Sequence, residues 1–156
     1  MTTWRTIACA VDFSPPSRLA LVEASELAKR FEAALTLVHV FEPASAATHD
    51  VFVAPPELFE QTVREMERLL EGWKSEAERI AGAPVATRVV VGTAAPEIVQ
   101  FLRQGGFDLV VLGTHGRRGL AHVVLGSVAE RVVREAPCPV LVVRGAGEGG
   151  APAKAA

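Results

Sequence analysis

The chain has 156 residues, 49% of them hydrophobic and 22% charged, with a formal net charge of -2 and a sequence pI near 6.1. That length suits one domain with a substantial core and leaves little room for a second. The charge balance excludes any general attraction to nucleic acid or to an anionic membrane, so affinity for a phosphate has to come from a local site.

The opening residues, Met1-Thr2-Thr3-Trp4-Arg5, carry no apolar core of the signal-peptide kind. No apolar run approaches the roughly 20 residues that cross a bilayer, and a soluble cytoplasmic protein is expected. Short apolar runs alternate with longer amphipathic segments, the pattern of βαβ units that feed a parallel sheet covered on both faces. The first strand is expected over residues 6–11. It leads through Asp12 to Ser14-Pro15, where serine can cap a helix and proline fits the first turn. That helix should turn Leu19, Ala24, Leu27, Ala28 and Phe31 inward. A second strand follows over 34–40, with His39 read as packed and hydrogen-bonded between Val38 and Val40. Residues 41–55 hold Pro43, Ser45, Thr48, His49, Asp50 and Pro55 without periodicity. They read as a long connecting loop, either functional or a solvated spacer.

The longest helix is expected over 56–81, where Phe59, Val63, Met66, Leu70, Trp73, Ala77 and Ile80 form one stripe at alternating spacings of four and three. Such a stripe is more often core than partner surface. A third strand over 86–91 precedes a helix that starts near Pro96 and stops before Gly105-Gly106, a C-terminal punctuation. The fourth strand, 107–112, runs straight into Gly113-Thr114-His115-Gly116. Nine residues later Gly126-Ser127 opens a helix over 128–135. The last strand, 140–143, follows Pro137-Cys138-Pro139. The domain is thus placed at 1–144, and the glycine- and alanine-rich tail, 145–156, cannot bury apolar surface and reads as disordered. Cys9 and Cys138 lack CxxC spacing or a histidine partner, so two reduced, buried thiols are expected. The four histidines show no metal-ligand spacing.

The glycines after the fourth strand carry the chemistry. Backbone without Cβ can reach positive φ and turn successive N–H groups toward an anion. The first amides of a helix have no partner inside it, and the helix dipole favours negative charge there. Ser127 can cap that helix or bind a phosphate oxygen; the plainer alternative is a tight turn with Ser127 as an ordinary N-cap. A Walker A loop is excluded because no lysine precedes Ser127. A dinucleotide fingerprint belongs after the first strand, whereas Gly113, Gly116 and Gly119 follow the fourth.

Ala10-Val11-Asp12-Phe13-Ser14, Leu37-Val38-His39-Val40 and Gly113-x2-Gly116-x9-Gly126-Ser127 together resemble the universal stress protein family, the glycine spacing being that of its ATP-binding branch. Residues 137–143 resemble the family's closing strand. The resemblance implies a single open doubly wound five-stranded parallel sheet, order 3-2-1-4-5, with helices on both faces. It also implies a nucleotide beside strands one and four, where general rules for such sheets place a ligand. Asp12, reached through Ala10 and Val11, would accept from a ribose hydroxyl, unless it caps the following helix. Val40 would offer its backbone to adenine. Leu112, Gly113, Thr114 and Gly116 would line ribose and phosphates, and Gly126, Ser127, Val128 and Ala129 would hold the phosphate tail. Arg117 and Arg118 could bond outer phosphates or stay solvated. His115 reads as a solvent-exposed turn residue and His122 as structural.

The ligand implied is ATP, or AMP or ADP, with Mg or Mn carried by the phosphates and no metal site of the protein's own. The carboxylates Asp12 and Asp108 are placed for a ribose and for a strand start, so no catalytic residue is named and binding should outrun turnover. An apolar edge strand invites a partner, which makes a homodimer through the last strand the expected assembly. The function expected is that of an ATP-binding, dimeric stress-response regulator. A scaffold of the same fold without nucleotide, or a very slow ATPase, are the alternatives.

Overall fold

The apolar runs form five parallel strands: β1 Thr6–Ala10, β2 Ala34–Phe41, β3 Val85–Val91, β4 Leu109–Gly113 and β5 Val140–Val143. The computed structural model describes residues 3–43, 55–114 and 125–144. The centre of the expected 41–55 loop, the positions of His115, Gly116, Arg117, Arg118 and His122, and the 145–156 tail lie outside these residues. The strand order is β3-β2-β1-β4-β5, as the resemblance implies.

Among the described residues four helices cover the sheet: α1 Pro15–Phe31, α2 Pro56–Ala81, α3 Ala94–Gly105 and α4 Ser127–Glu135. Side chains alternate across a strand, so the sheet builds two cores. Ile7, Cys9, Leu35, Leu37, Leu109 and Val111 pack against α1 and α2. Ala8, Ala10, Val38, Val110 and Leu112 pack against α3 and α4.

Ser14 caps α1, accepting from the Ser17 N–H at 3.4 Å, and Pro15 and Pro16 open the helix. Its buried face is Ser17, Ala20, Leu21, Ala24, Ser25 and Ala28, mostly small residues that let the axis lie close to the sheet. Leu19, expected inward, is 43% exposed. It stands two residues from both Ser17 and Leu21, about 200° round the helix from each.

The α2 stripe is core only in its C-terminal half, where Leu70 and Ala77 are buried while Phe59 is 39% exposed. Its 26 residues span about 39 Å, whereas the eight residues of β2 span about 26 Å. The helix is longer than the sheet it covers, and in its first turn Phe59 meets Phe41 at the end of β2, ring centres 6.0 Å apart.

Two element starts lie two residues from where the sequence places them, while β3 and α4 each start one residue early. The fourth strand begins at Leu109 because the Asp108 carboxylate turns back to accept from the N–H groups of Arg5 at 2.8 Å and Thr6 at 3.0 Å. Phe107 instead stacks against Phe101, ring centres 5.1 Å apart. Helix α3 begins at Ala94, ahead of Pro96, since a proline in the first turn sacrifices no helical bond. It ends at Gly106, φ 61°, in the left-handed conformation. Both cysteines are free; Cys9 is buried, but Cys138 is half-buried in the turn before β5.

Candidate functional site

Strands β1 and β4 lie side by side, with Ala10 opposite Leu112. From β1 the chain continues to one side of the sheet and from β4 to the other, so their carboxyl ends border the crevice where strand order reverses. Asp12 and Thr114 stand two residues beyond that pair. Val40 is the last residue but one of the neighbouring β2, half-buried. Ala10, Val11 and Leu112 are buried and form the floor.

The β1–α1 turn is held by side chains. Asp12 N–H donates to Ser17 Oγ at 3.2 Å. Asp12 Oδ1 accepts from the Ser14 N–H at 3.0 Å and from the Ser14 hydroxyl. Ser14 is the residue that caps α1, so Asp12 orients the cap and does not replace it. Between them Phe13 has φ 64°, a left-handed conformation that a bulky residue adopts only when its surroundings enforce it.

The described motif glycines, Gly113 and Gly126, act differently from the sequence expectation. Positive φ occurs among the described glycines at Gly82, Gly92 and Gly106, and Gly126 has φ -68°. At Gly113 the requirement is space: a Cβ there would lie 2.7 Å from the Pro16 carbonyl carbon and 2.8 Å from its oxygen. Glycine therefore lets β4 touch the first turn of α1. Thr114 is buried; its N–H donates to Val143 O at 3.1 Å and its carbonyl accepts from Gly126 N–H at 2.6 Å. Thr114 and Gly126, on either side of 115–125, are thus clamped together at the end of β4.

Gly126, not Ser127, is the N-cap of α4, and no side chain among the described residues caps this helix. The first helical bond runs from Glu130 N–H to Gly126 O at 2.8 Å. The amides of Ser127, Val128 and Ala129 consequently have no carbonyl within the helix. The amides of Thr114 and Gly126 are committed to the protein's own carbonyls, and among the described residues of α4 the donors without one begin at Ser127.

The start of α3 differs, because Glu42 Oε1 accepts from the Ala94 N–H at 2.5 Å. The sequence reading missed Glu42, Ser17 and Pro16. Only Ser17, three residues after the cap, carries a local signal; the other two act through tertiary contact.

Among the described residues no group of three His, Cys, Asp or Glu side chains could hold a metal. No described helix is long and apolar enough to cross a membrane. A cavity of about 340 Å³ lies between β3 and α3, lined by Arg88, Val90, Phe101, Gln104 and Gly105; it shares no residue with the crevice.

The sequence profile described as the universal stress protein family matches residues 3–144. The chain belongs to the universal stress protein family. A putative universal stress protein of Staphylococcus haemolyticus is 35% identical over 145 residues, covering 92% of this chain and 87% of that one. The structure of the universal stress protein UspA from Lactobacillus plantarum superposes with a TM-score of 0.82 at 26% identity, covering 92% of this chain and 100% of that one. A universal stress protein from Archaeoglobus fulgidus, solved in complex with dAMP, gives 0.66 at 23% identity, covering 91% and 99%. Two others of this fold were solved with cAMP, at 23% identity and a TM-score of 0.69, and, from Arabidopsis thaliana, with AMP, at 21% and 0.64.

Proposed function

We propose that this universal stress protein binds ATP in the crevice between β1 and β4 and acts as a dimeric stress-response regulator. The observation that carries the reading is the run of three helix-initial amides, Ser127 to Ala129, beside the clamped end of β4 and across from Asp12. Neighbours solved with dAMP, cAMP and AMP share this fold at low identity, so the weight rests on the crevice itself.

In this reading the phosphate tail takes the α4 amides and the Ser127 hydroxyl. Asp12 accepts from a ribose hydroxyl, and the β2 backbone at Val40 meets the adenine. Leu112, Gly113 and Thr114 form the wall between, and Gly116, Arg117 and Arg118 complete the set from outside the described residues. A divalent cation, Mg or Mn, arrives on the phosphates.

The dimer forms through β5. Both outer strands, β3 and β5, are sheet edges, but Arg88 sits at the middle of β3. Two-fold pairing there sets Arg88 against its own copy, a like-charge barrier. Strand β5, Val-Leu-Val-Val, has no such barrier.

The test replaces Ser127 with proline. Proline suits the first helical position, and Gly126 already has ψ 155°, the extended conformation a following proline prefers. The change removes one amide and the hydroxyl while leaving the helix start intact. Calorimetric titration with ATP, ADP and AMP should show at least a tenfold loss with unchanged unfolding temperature, against a smaller loss for Ser127→Ala. Wild-type protein that binds none of the three at millimolar concentration defeats the reading. Native mass spectrometry should give twice 16.5 kDa; a monomer mass rejects the dimer.

A further inference from the structure

Building on the nucleotide reading, we propose that His39 is the positioning residue for Asp12, a buried imidazole that holds the β1–α1 turn in the conformation presenting the carboxylate to the ligand.

His39 is buried, and its Nδ1 lies 2.8 Å from the Val11 carbonyl oxygen. A carbonyl only accepts, so Nδ1 carries the proton and donates. The Val11 N–H is bonded in turn to Val38 O at 2.9 Å. Both backbone groups of the residue before Asp12 are therefore fixed from β2, one by the strand ladder and one by the imidazole.

The same ring supports the residue after Asp12. The Phe13 ring lies 4.5 Å from that of His39 and packs edge-on against Trp73 of α2 at 5.4 Å. These contacts hold the ring of a residue whose φ of 64° is otherwise unfavourable. With the imidazole gone, a buried carbonyl loses its donor and Phe13 loses a partner. The turn then relaxes toward ordinary backbone, carrying Asp12 Oδ1 off the Ser14 N–H. Hydrophobic packing alone would explain a leucine at position 39; it does not explain a donor aimed at the carbonyl next to Asp12.

The experiment compares His39→Leu with His39→Asn, whose side-chain nitrogen sits where Nδ1 sits. Amide exchange by NMR reads the turn without any ligand. Exchange of the Ser14 amide should rise about tenfold in His39→Leu relative to the Val110 amide, the size of one lost hydrogen bond, and return most of the way in His39→Asn. ATP affinity should fall about tenfold in His39→Leu and recover in His39→Asn. In an Asp12→Ala background His39→Leu should change it no further, because the two residues act as one unit.

Unchanged Ser14 exchange in His39→Leu, or failure of His39→Asn to restore it, overturns the proposal. So does an additive effect with Asp12→Ala. If wild type binds no nucleotide, the proposed function falls, while Ser14 exchange still decides whether His39 holds the turn.

Discussion

Alanine in place of Gly113 separates two reasons for a glycine at the end of β4. The added Cβ would lie 2.7, 2.8 and 2.9 Å from the carbonyl carbon, carbonyl oxygen and Cβ of Pro16, where ordinary contact begins at 3.4 Å. Two of those atoms are backbone, in a helix turn stiffened by Pro15 and Pro16, so rotation of a side chain cannot relieve the overlap. Strand and helix must separate by roughly half an ångström, an overpacking that costs about 1–3 kcal/mol. For a chain of this size each kcal/mol lowers the unfolding temperature by about 2–4 °C, so Gly113→Ala should melt about 2–12 °C below wild type. Gly72 is the control, since it lies inside α2 with nothing within 4 Å of an added Cβ. Gly72→Ala should raise stability by about 0.5–1 kcal/mol. Scanning calorimetry or urea unfolding measures both. A Gly113→Ala protein as stable as wild type refutes the packing argument and leaves ligand approach as the reason for the glycine.

Within α2, Leu70→Ala should cost about 2–5 kcal/mol, because Leu70 is 1% exposed. Leu69→Ala, at 45% exposure, should stay within about 0.5 kcal/mol of wild type in the same urea titration. Hydrogen bonds from the Arg5 and Thr6 amides hold the Asp108 carboxyl below its usual range. A depressed folded value gives stability that is present above the unfolded pKa, about 4, and lost as pH falls through the folded one. The urea-midpoint gap between wild type and Asp108→Asn should therefore shrink from pH 7 to pH 3, and a constant gap contradicts it. Burial pushes the Cys9 thiol far up; burial and then the Asp108 charge raise that of Cys138. Thiol reagent at pH 7.5 should label Cys138 slowly and Cys9 only in denaturant. Two fast equivalents in the native protein would be the wrong result.

The element sequence was legible because strands buried on both faces must be largely apolar: 109–112 is so throughout, and 34–40 apart from Thr36 and His39. Strand order came through the family resemblance, since periodicity says nothing about which strand lies beside which. Position within an element was less legible. Leu19 reads as core by composition, but the α1 face is chosen by small residues that fit the sheet. The positive φ expected of the motif glycines is not what the described ones supply. Gly113 answers to Pro16, 97 positions away in a contact no local pattern encodes, and Gly126 takes the cap position assigned to Ser127. The left-handed Phe13 was invisible because its cause lies in His39 and Trp73, on other elements.

Those long-range contacts give the crevice a direction. At the start of α1, Ser14 and Asp12 occupy the first amides, and the start of α3 takes the Glu42 carboxylate. Helix α2 opens on Pro56, which has no N–H, and its Leu58 and Phe59 amides bond Pro55 O. Only α4, among the described residues, begins with successive amides lacking either kind of partner. The side nearer α1 thus presents acceptors and negative charge, and the side nearer α4 presents donors and the positive end of a dipole. A phosphate beside Asp12 would meet repulsion, and a hydroxyl beside Ser127 would forgo the stronger charge-assisted bonds. Adjacent strands are only about 4.8 Å apart, so one small molecule can reach both sides. The ligand that suits both carries hydroxyl donors at one end and an anion at the other, as a nucleoside phosphate does. A neutral sugar or a bare phosphate satisfies half of the crevice, and should bind correspondingly weakly.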